Sequence, residues 1–160
     1  MQSSGISPFI QRPSLVALAL VGLLAATQDA RAQQPAQAGI VKVLKGDVKV
    51  ERQGQDSAAS VGLRLYPGDR VVTGVDAAAG ITLRDDTLMS LGPKSTFVLE
   101  DFAFNESAGD GKIAVRLAKG TLRYVSGLIG KHSPQSQQVA TPTATIGIRG
   151  TDFIVEVADE

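Results

Sequence analysis

The sequence predicts an all-β protein, a single compact domain of many short antiparallel strands that form a sandwich-like or rolled β-fold behind a cleavable signal peptide. Short apolar runs alternate with polar residues at a period of two, which buries one side of a strand and leaves the other in water. Gly, Pro, Asp or Asn bounds each run. After the N-terminal segment, no stretch is long enough and periodic enough to predict a stable helix.

Residues 1–32 have the pattern of a secretion signal. Arg12 supplies the positive charge, an apolar run follows at 15–26, and Ala30-Arg31-Ala32 is a small-x-small cleavage site. The alternative is an uncleaved anchor, but the apolar run is shorter than the roughly 20 residues that a membrane span needs. Because the chain has no cysteine, a lipid-anchored lipoprotein is excluded.

We therefore expect a soluble periplasmic protein, cleaved near Ala32 and without stable membrane insertion afterwards. The predicted parts of the chain are a signal peptide at 1–32, a short linker at 33–38, the β domain at 39–157 and a tail at 158–160.

Removing the signal from the 160 residues leaves about 128, enough for one domain with its own core. Arg12, Arg31 and Asp29 leave with it, so the 16 basic and 16 acidic residues fall to 14 and 15, a net charge of about −1. The charges are mixed along the chain, which argues against nucleic acid or a membrane surface as a partner. Without cysteine, stability must come from burial and backbone pairing.

The first strands are predicted between Val41 and Val50, where valines alternate with charged residues. Gly46-Asp47 interrupts this run, which is either one bent strand or two short ones. The alanine-rich segment 76–80 is too short for a stable helix. Later strands are predicted at 81–84, 97–99, 113–117, 122–125 and 153–157.

Three irregular segments are predicted to be loops. Gln53 to Val61 and Asn105 to Lys112 are polar and small, as expected of exposed hairpin loops. Lys131 to Gln138 is rich in Ser, Pro and Gln and is expected to be a mobile loop.

A basic residue followed by glycine precedes a strand at three places, Lys45-Gly46, Lys119-Gly120 and Arg149-Gly150. The unequal spacings exclude a repeat of fixed period. We interpret the pattern as a recurring corner, where glycine permits a positive φ or a bulge as the chain enters a strand.

Five segments in order resemble the FecR-type periplasmic domain, and the resemblance covers about residues 39 to 157. It implies an all-β, non-catalytic domain; the best-known members belong to membrane-spanning regulators that relay a signal from an outer-membrane transporter to a cytoplasmic sigma factor. The segments are Gly39-Ile40-Val41 with Gly46-Asp47-Val48, Leu65 to Gly74, Asp76 to Leu83, Leu117 to Leu122, and Thr141 to Phe153.

The chain also departs from those regulators. A cleavable signal stands where they have a cytoplasmic segment and a transmembrane helix, and their further C-terminal subdomain is not expected after Glu160. The resemblance therefore implies a stand-alone exported FecR domain. Asp85-Asp86 replaces the Asp-Gly expected at one hairpin, so either the turn type differs or Asp86 tolerates a positive φ.

Asp69 is expected to accept backbone N–H bonds in a turn, and Thr73 to cap a strand end. Arg149 has two interpretations: it braces the corner by donating to carbonyls or a carboxylate, or it binds the carboxylate or phosphate of a ligand. We predict the brace. The motif residues interpreted as structural are Gly46, Pro67, Gly68, Asp69, Gly120, Gly147, Arg149, Gly150 and Thr151.

No combination of residues predicts an enzyme, a cofactor or a metal site. His132 is the only histidine, cysteine is absent, and no serine lies in a constrained turn beside a base. Adjacent residues on a strand point to opposite faces, so neither the pair Asp85-Asp86 nor the pair Glu100-Asp101 converges on one substrate unless a turn brings it round. The oxygen-rich loop at 105–111 lacks the acidic spacing of a calcium site.

We predict a non-catalytic protein-interaction or signalling and regulatory module of the cell envelope, with another envelope protein as its partner and no small-molecule ligand. The alternative is a module that binds an envelope ligand such as a cell-wall glycan or another anion. Two tyrosines, five phenylalanines and no tryptophan are a poor set for stacking on sugars, which favours the protein partner.

Overall fold

The computed structural model describes residues 36–149 and 152–158. The predicted signal peptide at 1–32 lies outside the described residues, as do Gly150, Thr151 and the end of the predicted tail. The described residues form a curled, almost entirely antiparallel 12-stranded sheet with two short helical segments, which confirms the all-β prediction.

The first seven strands are β1 (Gly39–Lys45), β2 (Val48–Arg52), β3 (Gln55–Ala58), β4 (Arg64–Leu65), β5 (Arg70–Thr73), β6 (Ala78–Leu83) and β7 (Leu88–Leu91). The remaining elements are β8 (Thr96–Asn105), β9 (Asp110–Val125), helix α1 (Leu128–His132), a 3₁₀ turn (Pro134–Ser136), β10 (Gln137–Ala140), β11 (Thr145–Gly147) and β12 (Asp152–Val157).

Strand β9 belongs to both halves of the sheet. Its first part pairs with β8 on one side and, in parallel, with β10 on the other. Its second part pairs with β7 and β12, both antiparallel. One half, the β8 half, therefore runs β3-β2-β5-β8-β9-β10-β11, and the other, the β7 half, runs β4-β1-β6-β7-β9-β12.

A single hydrophobic core contains buried residues from both halves. On β6 the burial alternates strictly, with Ala79, Ile81 and Leu83 buried. Tyr124 is fully buried, stacks on Phe153 with ring centroids 5.2 Å apart, and donates a hydrogen bond to Gln137 Oε1 at 2.6 Å. Aliphatic side chains fill most of the rest, as the low aromatic content predicts.

The outer face of the β7 half exposes aliphatic side chains beside one ion pair, Arg123–Asp152, whereas that of the β8 half carries several ion pairs. The β8 half carries ion pairs between neighbouring strands, including Arg116–Glu100 at 2.5 Å and Lys112–Asp101 at 2.8 Å. On the β7 half, Val43 and Ile154 are 62% and 65% exposed. Both belong to one row of paired residues that crosses β1, β6, β7, β9 and β12, so they share a face.

The segment Lys131 to Gln138 is not the loop that its composition predicts. It contains the end of α1, the 3₁₀ turn and the start of β10. Ile129 is fully buried, Gln137 is 2% exposed, and Gln137 bonds to Tyr124. Ile129, just before this segment, and Gln137, near its end, therefore anchor both of its sides to the core. The predicted loop and the expected absence of helix after the signal are both wrong.

Two other predictions of local structure were incomplete. The segment Gln53 to Val61 contains β3, an exposed edge strand that joins β2 through a tight hairpin, with φ of 53° at Gln53 and 77° at Gly54. The runs at 113–117 and 122–125 are parts of the one strand β9. Gly46, with φ of 69°, separates β1 from β2, so the first run forms two strands.

No helix in residues 36–149 or 152–158 has the length and apolarity required to cross a membrane.

Candidate functional site

A groove opens beside the segment that follows β10. One part of it, about 500 Å³, is formed by the bend of β9, the loop before β11 and the end of β12. A second part, about 310 Å³, lies between β11 and the start of β12. Ile146 and Val155 line both parts, so we treat them as one site, the terminal groove. Its lining residues are Ala118, Lys119, Thr141–Thr143, Ile146–Arg149 and Phe153–Ala158.

Two strand edges face this groove. Within the described residues, β12 pairs only with β9 and β11 pairs only with β10, so each strand has one side without a partner. A free edge presents unpaired N–H and C=O groups, which is a template for another strand. The described part of β12 contains neither lysine nor proline, two residues that commonly protect such edges.

The inward side chains of β12 continue the core into the groove. Phe153 pairs with Tyr124 and Val155 with Leu122, and both β9 residues are fully buried. Phe153 itself is only half-buried, as is Val157. The groove therefore has an apolar wall that the domain does not fully cover.

Arg149 lies at one end of the groove. It is exposed, and it makes no hydrogen bond or ion pair with any residue of 36–149 or 152–158. The structure thus gives the predicted brace no acceptor within these residues. Asp152, a nearby carboxylate in the sequence, is bound by Arg123 at 2.6 and 3.1 Å, and that hydrogen bond lowers the pKa of Asp152.

The turn Tyr66–Asp69 lies away from the groove lining and is structural. Asp69 N donates to Tyr66 O at 3.1 Å, with Pro67 and Gly68 between them and φ of 94° at Gly68. These are the features of a type II turn. The carboxylate of Asp69, 1% exposed, accepts from Tyr66 N at 2.8 Å and from Arg52 Nε at 2.7 Å. This bond raises the pKa of Arg52, whose guanidinium lies 4.7 Å from the Tyr66 ring centroid.

The other motif residues differ in role. Gly120, with φ of 89°, is the bend of β9. Gly147 has no positive φ, and a Cβ added there would meet open space, so nothing in the structure explains a glycine at this position. Thr73 Oγ1 donates to Gly92 O at 2.7 Å and accepts from Ser95 N at 2.8 Å, closing the end of β5. Gly150 and Thr151 lie outside the described residues.

The carboxylate pairs do not converge on a site. Asp85 is fully buried and accepts from Thr87 Oγ1 at 2.7 Å and Ile129 N at 3.3 Å, while Asp86 is exposed with φ of 65°. Asp86 therefore tolerates the positive φ of this turn. Glu100 and Asp101 bind separate basic residues of β9. No group of three potential metal ligands occurs among the described residues.

His132 lies at the end of α1 and is exposed. Its Nδ1 is 3.1 Å from Ala108 O, a contact that joins the helix to the β8–β9 turn.

The sequence of Thr141 to Phe153 predicts a corner, and it does not identify Val155, Val157 or Ala118 as parts of a groove. The alternation in Phe153-Ile154-Val155 identified the strand, but alternation reports only which face of a strand is buried. It contains no information about which edge remains unpaired, so no local signal could have revealed the groove.

Residues 69–160, more than half of the chain, match the family described as FecR protein. No curated protein and no solved structure matched. The family is known as a non-enzymatic regulatory and signalling family whose domains are typically periplasmic. The family match and the all-β fold agree with the resemblance in the sequence, and this chain belongs to the FecR protein family.

Proposed function

We propose that this protein is a non-catalytic regulatory module of the periplasm that binds an extended segment of another envelope protein in the terminal groove. The observation that carries the proposal is that one side of β12 has no partner strand among the described residues, next to the half-buried Phe153 and Val157 of the groove. Membership of a regulatory and signalling family supports the same class of function.

The physical basis is strand addition. A partner strand beside β12 would satisfy the free backbone groups of the edge with main-chain hydrogen bonds. Its alternate side chains would cover Phe153, Val155 and Val157, which removes apolar surface from water at about 25 cal/mol per Å². The main-chain bonds supply affinity for any extended segment, and the pockets supply selectivity.

The test uses two matched variants of the chain that begins at Gln33. Ile146→Lys places a charge in the groove, whereas Val43→Lys places one on the outer face of the β7 half. Both replace an exposed aliphatic residue on a strand. We expect a photo-crosslinker at Ile146 to capture a discrete segment of an envelope protein, and the partner to slow amide exchange in residues 152–157. Ile146→Lys should abolish that protection, and Val43→Lys should retain it.

Three results would contradict the proposal. Equal loss of binding in both variants would indicate a general effect of charge. If a photo-crosslinker placed at Val43 captured the partner and the one at Ile146 did not, the interface would lie on the outer face of the β7 half. Binding to purified peptidoglycan, with no protein captured, would favour the envelope-ligand alternative.

A further inference from the structure

We propose that the terminal groove selects an extended peptide segment that carries an acidic side chain at one end, and that Arg149 binds this carboxylate. The inference rests on the proposed function, because it assumes that a peptide strand occupies the groove. It assigns the partner a chemistry that neither the family nor the fold specifies.

The first observation is that Arg149, unlike most arginines of the described residues, has no carboxylate partner among them. Five arginines of the described chain lie within reach of a carboxylate, whereas Arg149 does not. Arg64 on β4 is also exposed without an ion pair, but it does not line the groove. The paired arginines are Arg52, Arg70, Arg84, Arg116 and Arg123.

The second observation is the environment of that guanidinium. The part of the groove that includes Arg149 is otherwise lined by Ile146, Gly147, Ile148, Phe153, Ile154 and Val155, and none of the described residues that line it is a carboxylate. A peptide in this part would exclude water from one side of the guanidinium. Its planar fork would then present two donors to a carboxylate, and such charge-assisted bonds are stronger than neutral ones.

The third observation concerns the other end. The larger part of the groove is lined by two residues of opposite charge, Lys119 and Glu156. An acidic residue of the peptide there would meet both attraction and repulsion, whereas near Arg149, the one charged residue among the described residues that line the smaller part, it would meet attraction alone. The groove therefore distinguishes the two ends of a bound strand, and the acidic position has a defined register relative to β12.

The experiment displays a library of random extended peptides, roughly eight residues long, and selects them in parallel on the parent, on Arg149→Gln and on Ile146→Lys. Arg64→Gln is the matched control, since it removes an exposed arginine outside the groove. We expect the parent and Arg64→Gln to enrich peptides with Asp or Glu near one end, and Arg149→Gln to enrich peptides without that preference. Melting curves of the four proteins establish that each is folded.

Individual peptides then give the size of the effect. Replacing the acidic residue by its amide should weaken binding to the parent about tenfold, a typical effect of one charge-assisted bond. The same replacement should change binding to Arg149→Gln by less than about twofold. Arg149→Lys should retain part of the preference, because it keeps the charge and loses the fork.

The two proposals fail in different ways. Peptides that bind the parent and not Ile146→Lys, with no acidic preference, would overturn the role of Arg149 and leave the groove as a strand site. A library from which the parent enriches nothing beyond Ile146→Lys would overturn the groove as a peptide site, and the inference with it.

Discussion

Asp69 joins the turn Tyr66–Asp69 to strand β2 through a carboxylate that is almost fully buried. Three donors reach it, the backbone N–H of Tyr66 and two nitrogens of Arg52. Arg52 also donates to Arg64 O at 2.8 Å, so one guanidinium connects β2, β4 and the turn. The turn itself was predictable from Pro67-Gly68-Asp69, but the role of Arg52 was not, because Arg52 lies 17 positions from its partner in the sequence.

We expect Asp69→Asn to lower the free energy of unfolding by roughly 1 to 3 kcal/mol, because the amide keeps the shape but cannot accept all three bonds. Asp56→Asn, on the exposed strand β3, is the control and should stay within about 0.5 kcal/mol of the parent. Urea denaturation of both variants measures the difference. Equal midpoints would show that the buried carboxylate contributes nothing beyond its volume.

Because of Tyr124, we expect the free energy of unfolding to depend on pH in the alkaline range. Burial raises the pKa of its hydroxyl above the ordinary value of 10.0. The folded state therefore holds this proton more tightly than the unfolded state does. The resulting stabilisation is fully present below pH 10.0 and is lost as pH rises above that value.

Replacement of Tyr124 by Phe separates this effect from other titrations. At about pH 8 the variant should be less stable by roughly 1 kcal/mol, because Gln137 Oε1 loses its donor. At about pH 11 the difference should shrink or reverse, since only the parent carries the titrating hydroxyl. Urea melts at the two pH values measure it. A difference that stays constant would show that Tyr124 ionises equally in both states.

At the scale of elements, periodicity predicted strands where one face of each is buried. It therefore located β1, β2 and β12, and the second half of β6. It divided β9 in two, because Ala118 to Gly120 interrupts the alternation while the backbone pairing continues. It also missed β3, whose residues are all exposed and so carry no apolar pattern. The residues that pair with Lys119 and Gly120 of β9, Thr96 and Val157, lie outside any local window.

The bend of β9 at Gly120 is the element that joins the two halves. A Cβ at this residue would lie 2.4 Å from Ser95 Cα, too close to be accommodated without movement of the backbone. Ser95 Oγ also accepts from Thr121 N at 3.0 Å, so the two segments are held together at this point. Positive φ and close approach therefore both require glycine here.

We expect Gly120→Ala to lower the free energy of unfolding by at least about 1 kcal/mol, from backbone strain and the contact with Ser95. Gly147→Ala is the matched control, because a Cβ there meets open space. Its stability should change by less than about 0.5 kcal/mol. The comparison uses thermal melts in one buffer. Equal melting temperatures for the two variants would contradict the role of Gly120 as the corner of the fold.

On the scale of the whole molecule, the sequence predicted the fold class and the family but not the surface. The ion pairs of the β8 half join residues such as Arg116 and Glu100, which are 16 positions apart. The groove likewise requires three distant segments, the bend of β9, the loop before β11 and β12. Composition and motifs are local properties of the sequence. A binding surface instead depends on which strands and side chains from distant parts of the sequence pair with each other.

The remaining whole-molecule prediction concerns export. We expect the protein to be cut after Ala32 and recovered from the periplasm without detergent. Mass spectrometry of the exported protein should give the mass of a chain that begins at Gln33. The apolar run at 15–26 is too short to hold the chain in a bilayer, which needs roughly 20 residues.

A double variant, Leu18→Arg with Leu20→Arg, should leave the precursor uncut, because charge destroys the apolar part of a signal. Ala32→Leu should permit export but slow cleavage. Recovery of residues 1–32 with the parent in the membrane fraction would instead identify the segment as an anchor, and the terminal groove would then act on partners close to the membrane.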